Sequence, residues 1–170
     1  MLIKISKALS KFSYLTGYLA ALLLILLLFN VAYDVLMRYI FNDVSIGMQE
    51  LEWHLYASVF LLGLSYTLET GGHVRVDIVY HQLDPKKQAF INILGTLIFL
   101  IPFASLIAYY GLGFAYNSYS INEISGDPGG LTHRWLIKSM ISVSFLCLLI
   151  SSFSFMLRSY LAYKKPMIAK

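Results

Sequence analysis

Four stretches of the chain carry no Asp, Glu, Lys or Arg: Phe12–Tyr33, Trp53–Leu68, Gln88–Asn122 and Ser139–Leu157. A helix needs about 20 apolar residues to cross a hydrocarbon core. The first and fourth stretches have that length. The second reaches it if Glu52 and Glu69 sit in the headgroup layer. The third is too long for a simple span and is expected to cross and then continue past Gly111. Backbone groups in lipid must be bonded within their own segment, so these spans should be helices. The short alternating segments of a transmembrane barrel are absent. The pattern predicts an all-α membrane protein with four transmembrane helices in one domain over 1–170. The spans fall at roughly 12–36, 51–69, 86–112 and 136–158.

Composition agrees, with 58% apolar residues and a mean hydropathy of +0.69. Four spans nearly exhaust 170 residues, leaving no room for a second folded domain. The single cysteine, Cys147, lies inside the fourth span and is read as a small packing residue. One cysteine forms neither an intrachain disulfide nor a cysteine zinc site. The first span follows Lys4, Lys7 and Lys11 but outruns a signal-peptide core, and no small-x-small cleavage site follows. It is read as a retained anchor.

The basic balance is a topology signal and not a nucleic-acid one. Four spans put both termini on one side, together with Arg75, Lys86, Lys87 and Arg158. That side holds ten of the thirteen Lys and Arg, and the other only Arg38, Arg134 and Lys138. The positive-inside rule therefore predicts cytoplasmic termini. The outer side carries Asp34, Asp43, Glu50, Glu52, Glu123 and Asp127.

Several local patterns point to packing or partner contacts. Leu2–Lys11 interleaves apolar residues with lysines, as either an interfacial segment or a solvated basic end. Asn30, Asp34, Arg38 and Asn42 share one helix face at i, i+4 spacing, either as a self-satisfied ladder or as a partner contact. Glu50, Glu52, Trp53 and His54 gather where the second span begins, and Trp53 suits the interfacial belt. Gly71-Gly72 should end that helix, with His73, Arg75 and Asp77 in the following loop. Pro85, with Lys86 and Lys87, marks the start of the third helix. Pro102 should kink it. Two small-residue stripes, Ala104, Ala108, Gly111, Ala115 and Ser144, Cys147, Ser151, Ser154, would let helices approach closely, facing each other or a partner. Tyr109, Tyr110, Tyr116 and Tyr119 gather toward the outer end as an aromatic belt would. Pro128-Gly129-Gly130 forces a turn. Thr132 would then cap a helix carrying Arg134, Trp135 and Lys138. Arg134 and Lys138 share a face, as binders of phospholipid headgroups, an anionic ligand or acidic partner residues.

Recognisable chemistry is sparse. There is no Gly-rich phosphate loop, cysteine pair or HExxH. Of the four histidines, His54 and His133 would lie near the outer face and His73 and His81 in the inner loop, which disfavours an autonomous haem-binding electron carrier, the competing class. The first span lacks the buried carboxylate expected of a four-helix drug exporter.

Four motifs occur in order: R-Y-I-F (38–41), E-L-E-W (50–53), G-G-H-V-R-V-D-I (71–78) and P-G-G-L-T-H-R-W-L-I-K (128–138). With them the chain resembles the small, Q-type membrane subunit of tripartite ATP-independent periplasmic (TRAP) transporters over nearly its whole length. Two departures stand out. The family's adjacent acids before the second span are split here as Glu50 and Glu52, and its common proline after Gly-Gly-Leu is Thr132. The resemblance implies a large M-type partner holding the substrate and sodium sites, with no cofactor on this chain. It also implies a periplasmic binding protein delivering an organic anion, and a bracing role for this subunit. Arg38, Glu50, Glu52, Trp53, Arg134, Trp135 and Lys138 are then the expected partner or lipid contacts.

Overall fold

The structure is a computed structural model and describes residues 2–73, 80 and 82–164. It is helical, with four long rods in order: α1 (Leu2–Ile40), α2 (Ile46–Thr70), α3 (Pro85–Ser120) and α4 (Trp135–Lys164). Arg75 and Asp77 lie outside the described residues, as does the alternating Val74–Ile78 run. α1, α3 and α4 are long and apolar enough to cross a membrane. α2 has 25 residues, about 37 Å at 1.5 Å per residue, but is more polar in composition. At 39 and 36 residues, α1 and α3 exceed a hydrocarbon core of about 30 Å, so in a bilayer they would tilt or project beyond it.

Each helix end has a local cause. Ser45 caps α2 by accepting from Met48 N–H at 3.3 Å. Gly71 ends α2 in the left-handed region (φ 74°), where a Cβ is disfavoured. Gly71 N–H then donates to Leu68 O and Gly72 N–H to Thr67 O at 2.9 Å, the paired bonds of a Schellman stop. α1 runs unbroken from Leu2, with no turn between a surface segment and a span. Its N-terminal Ser6 and Ser13 are buried against α4 instead. α4 begins at Trp135, and Thr132 does not cap it. The Thr132 hydroxyl lies 2.7 Å from His133 Nδ1, and His133 adopts φ 61°.

α3 contains a widened π turn, Thr96–Leu100, in which Ile101 N–H donates to Thr96 O. Pro102 follows directly. Its ring crowds the carbonyl four residues back and its nitrogen carries no proton to bond it, and an extra residue in the turn relieves that conflict.

α4 is the hub: it packs on α1, α2 and α3, while α1 and α2 pair with each other. Leu68 of α2, Ala104 of α3 and Leu148 of α4 meet in one apolar cluster. The largest fully buried side chains are all serines: Ser13, Ser65, Ser118, Ser142, Ser144, Ser151, Ser152 and Ser154. Big apolar side chains point outward, Phe99 being 73% exposed. This inversion is what lipid demands: small residues let backbones meet, while leucines face acyl chains at no loss.

The two small-residue stripes do not face each other. Ala104, Ala108, Gly111 and Ala115 are buried toward α4 around Ser142, whose hydroxyl donates to Ala108 O at 3.0 Å. The α4 stripe turns partly to α1. Ser151 meets Ser13 at 2.7 Å, and Ser154 donates to Ser6 O at 3.4 Å. Ser144 is buried and bonds Ile141 O, while Cys147 is half-buried. A Cβ on Gly111 would lie 2.5 Å from Ser142 Oγ. Gly111→Val should therefore push α3 off α4 and lower unfolding stability by about 1–3 kcal/mol. Thermal or SDS titration in detergent reads this out, with Gly113→Val, which meets open space, as the neutral control.

Candidate functional site at the loop end of the bundle

One end of the bundle gathers the α1–α2 and α3–α4 connections. It is held by two carboxylates acting as clamps. Glu50, in the first turns of α2, reaches across to the α3–α4 loop. Its Oε1 accepts the Ser125 hydroxyl, and its Oε2 accepts Leu131 N–H at 2.6 Å. The loop is shaped to receive it. Gly129 takes φ 82°, Gly130 N–H donates to Asp127 O, and Ser125 N–H donates to Leu131 O. A Cβ at Gly130 would fall 2.9 Å from Glu50 Oε2, and one at Gly47 would fall 3.2 Å from Gly129 O. The glycines thus serve the turn and the close approach of α2 together, while Pro128 stays exposed. His54 does not bond the Glu50 side chain. Its Nδ1 sits 2.6 Å from the Glu50 carbonyl, so that nitrogen carries the proton.

Glu123 is the second clamp. Its carboxylate pairs with Lys138 and lies 3.9 Å from Arg134 Nε, while its carbonyl accepts Arg134 N–H. Lys138 also stands 4.2 Å over the Phe114 ring. Trp135 meets Tyr119 edge-on at 5.6 Å. Arg38 bonds Asp34 at 2.5 Å within α1, and Asn30 donates to Met48 O at 2.9 Å. Asn30 thus ties α1 to α2, while Asp34 and Arg38 pair within α1; Asn42, just past the helix, takes φ 53°.

Arg38, Arg134 and Lys138 each have an acid of this chain within ion-pair distance: Asp34 for Arg38, and Glu123 for the other two. The remaining acids at this end, Asp43, Glu52 and Asp127, have no ion-pair partner among the described residues. Trp53 is 74% exposed.

At the opposite end, Glu69 and Arg158 form a joint that composition did not reveal. The Glu69 side chain is only 1% exposed, buried beneath α4. Arg158 Nη1 lies 3.1 Å from Oε1, and Nη2 donates to the Glu69 carbonyl at 3.0 Å. The carboxylate contact is off-line for a hydrogen bond, and its oxygens have no hydrogen-bond partner among the described residues. A buried carboxylate needs a nearby cation, and nothing in the spacing of residues 69 and 158 announces one. Gly72 belongs to the helix stop just beyond, and His73 is exposed.

Both clamping acids are held below the usual carboxylate range. For Glu50 the chief cause is the Ser125 bond, then the Leu131 amide, and for Glu123 the Lys138 bond. A depressed folded pKa gives stability that is full above the ordinary value of 4.5 and is lost as pH falls through the lower folded value. Hydrogen exchange of the Ser125 and Leu131 amides should therefore be flat across neutral pH after correction for intrinsic rate, and rise only under acid below 4.5. At the other end, Arg158→Ala strands a buried carboxylate and should destabilise by roughly 1–3 kcal/mol, reduced by the half-exposure of the arginine. Glu69→Gln should cost less, and thermal melts of the two variants check the order.

Comparison with known proteins follows these features. Residues 27–161 match the family described as tripartite ATP-independent periplasmic transporters, DctQ component. A Haemophilus influenzae protein, provisionally named a TRAP transporter small permease protein, is 29% identical over 127 residues. The match covers 74% of this chain and 79% of that protein. The family match spans every motif from R-Y-I-F to the last helix, and the chain belongs to the DctQ component family of TRAP transporters.

Proposed function

We propose that this chain is the non-catalytic small subunit of a sodium-driven importer of an organic anion, such as sialic acid, a C4-dicarboxylate or a related carboxylate. Its partners are a large M-type membrane subunit, which holds the sodium and substrate sites, and a periplasmic binding protein. Membership of the DctQ component family carries this reading. The bundle supports a bracing role. Its interior is rich in serine and alanine, and broad apolar faces of α1 and α3 point outward.

In this reading all four helices cross the bacterial inner membrane, α2 included, with both termini cytoplasmic. Lys4, Lys7, Lys11, Lys86, Lys87, Arg158 and Lys164 then lie at the inner face, and the Glu50 and Glu123 clamps at the periplasmic face. A long α3, bent near its π turn and Pro102, carries its tyrosines to the outer interface. The alternative of a haem-binding electron carrier finds no support. His54 and His133 sit at the loop end, each with Nδ1 engaged by a neighbour.

Three measurements test this. Co-expressed with an M-type large subunit from the same genome, the tagged chain should retain that subunit through detergent purification. Proteoliposomes should take up the anion only with sodium, the binding protein and both membrane subunits present. Reporter fusions should be active in the cytoplasm at either terminus and in the periplasm at Gly126. Transport by this chain alone, or a haem band in its reduced-minus-oxidised spectrum, would sink the reading.

A further inference from the structure

Among the acids at the loop end, Glu52 has an unusual setting. Asp43 and Asp127 are exposed on the connections, where water reaches them. Glu52 lies within α2, half-buried, and lines a groove of about 270 Å³ with Leu27, Trp53 and Tyr56. Leu27 belongs to the charge-free stretch of α1, so the groove lies on the flank of the bundle between α1 and α2. A carboxylate there is less freely hydrated than one on a loop, and it has no ion-pair partner among the described residues. All three cations at this end are already paired, Arg38 with Asp34 and both Arg134 and Lys138 with Glu123.

The groove combines one negative charge with the largely exposed rings of Trp53 and Tyr56. A cation seated against indole and phenol faces is attracted by the ring quadrupoles as well as by the carboxylate. Anionic headgroups would be repelled, and an apolar chain would leave the carboxylate unanswered. The space suits one long side chain.

We infer that the Glu52–Trp53–Tyr56 groove receives a lysine or arginine side chain from the large membrane subunit. This makes the α2 face of the bundle, with Leu27 of α1, part of the interface between the two subunits. The inference rests on the pairing proposed above.

The test is retention of the large subunit by tagged chain in nanodiscs of phosphatidylglycerol, with and without phosphatidylethanolamine. Glu52→Gln and Glu52→Lys should each lower retention about five- to ten-fold in both lipids, the lysine variant more, and Glu52→Asp should restore most of it. The melt of the isolated Glu52→Gln chain should match wild type, which separates lost contact from lost fold. Wild-type retention by Glu52→Lys overturns the inference while leaving the pairing intact. So does a difference between wild type and Glu52→Gln that exists only with phosphatidylethanolamine, since the occupant is then a lipid amine. If wild type itself retains no large subunit, the pairing fails and the inference falls with it.

Discussion

A helix surrounded by hydrocarbon gains little by burying a leucine, because lipid is as apolar as another helix. What remains to hold the bundle is close backbone approach, with the dispersion and hydrogen bonding that proximity allows. The rest of this fold depends on that constraint. Serines are prominent in the interior because they are small and because most of their hydroxyls can donate a hydrogen bond to a nearby carbonyl. Ser142 shows both, bonding Ala108 O across to α3 while Gly111 leaves room for it. α4 is the hub because small residues occur around its circumference, so three helices can approach it from different sides.

Packing of this kind is permissive about register, since small side chains resemble one another. The charged pairs at the two ends supply the discrimination. Glu50 and Glu123 fasten the α3–α4 loop to the start of α2 and to α4. Glu69 and Arg158 join α2 to α4 at the other end. All lie outside or at the edge of the charge-free stretches; the loop-end pairs are partly exposed, while Glu69 is buried and needs its cation. The middle of the bundle is thus adaptable and its ends are specified. That distribution is consistent with the bracing role proposed above.

The distinction between Glu50 and Glu52 shows how function and folding share one motif. The two acids sit two residues apart on a helix, about 200° around the axis, so they cannot face the same neighbour. Glu50 turns to the loop and is consumed by the fold. Glu52 turns to the groove beside Trp53 and is left for something else. A reading by residue type treats them alike, and helical geometry separates them.

Residue order alone determined the helical character, the long apolar stretches, the Gly71-Gly72 stop and the family resemblance, because these depend on local hydropathy, backbone preference and contiguous motifs. It did not reveal that Ser151 would meet Ser13 rather than α3, that Glu69 would be buried under Arg158, or that Arg134 and Lys138 would share the single carboxylate of Glu123. Those facts depend on the rotation of each helix about its axis and on which helix lies beside it. When leucines face lipid, the more apolar side of a helix no longer marks the side turned to the interior. Only tertiary packing, through the few places where a glycine or serine lets two backbones meet, decides which polar residues are spent inside the bundle and which, like Glu52, remain available.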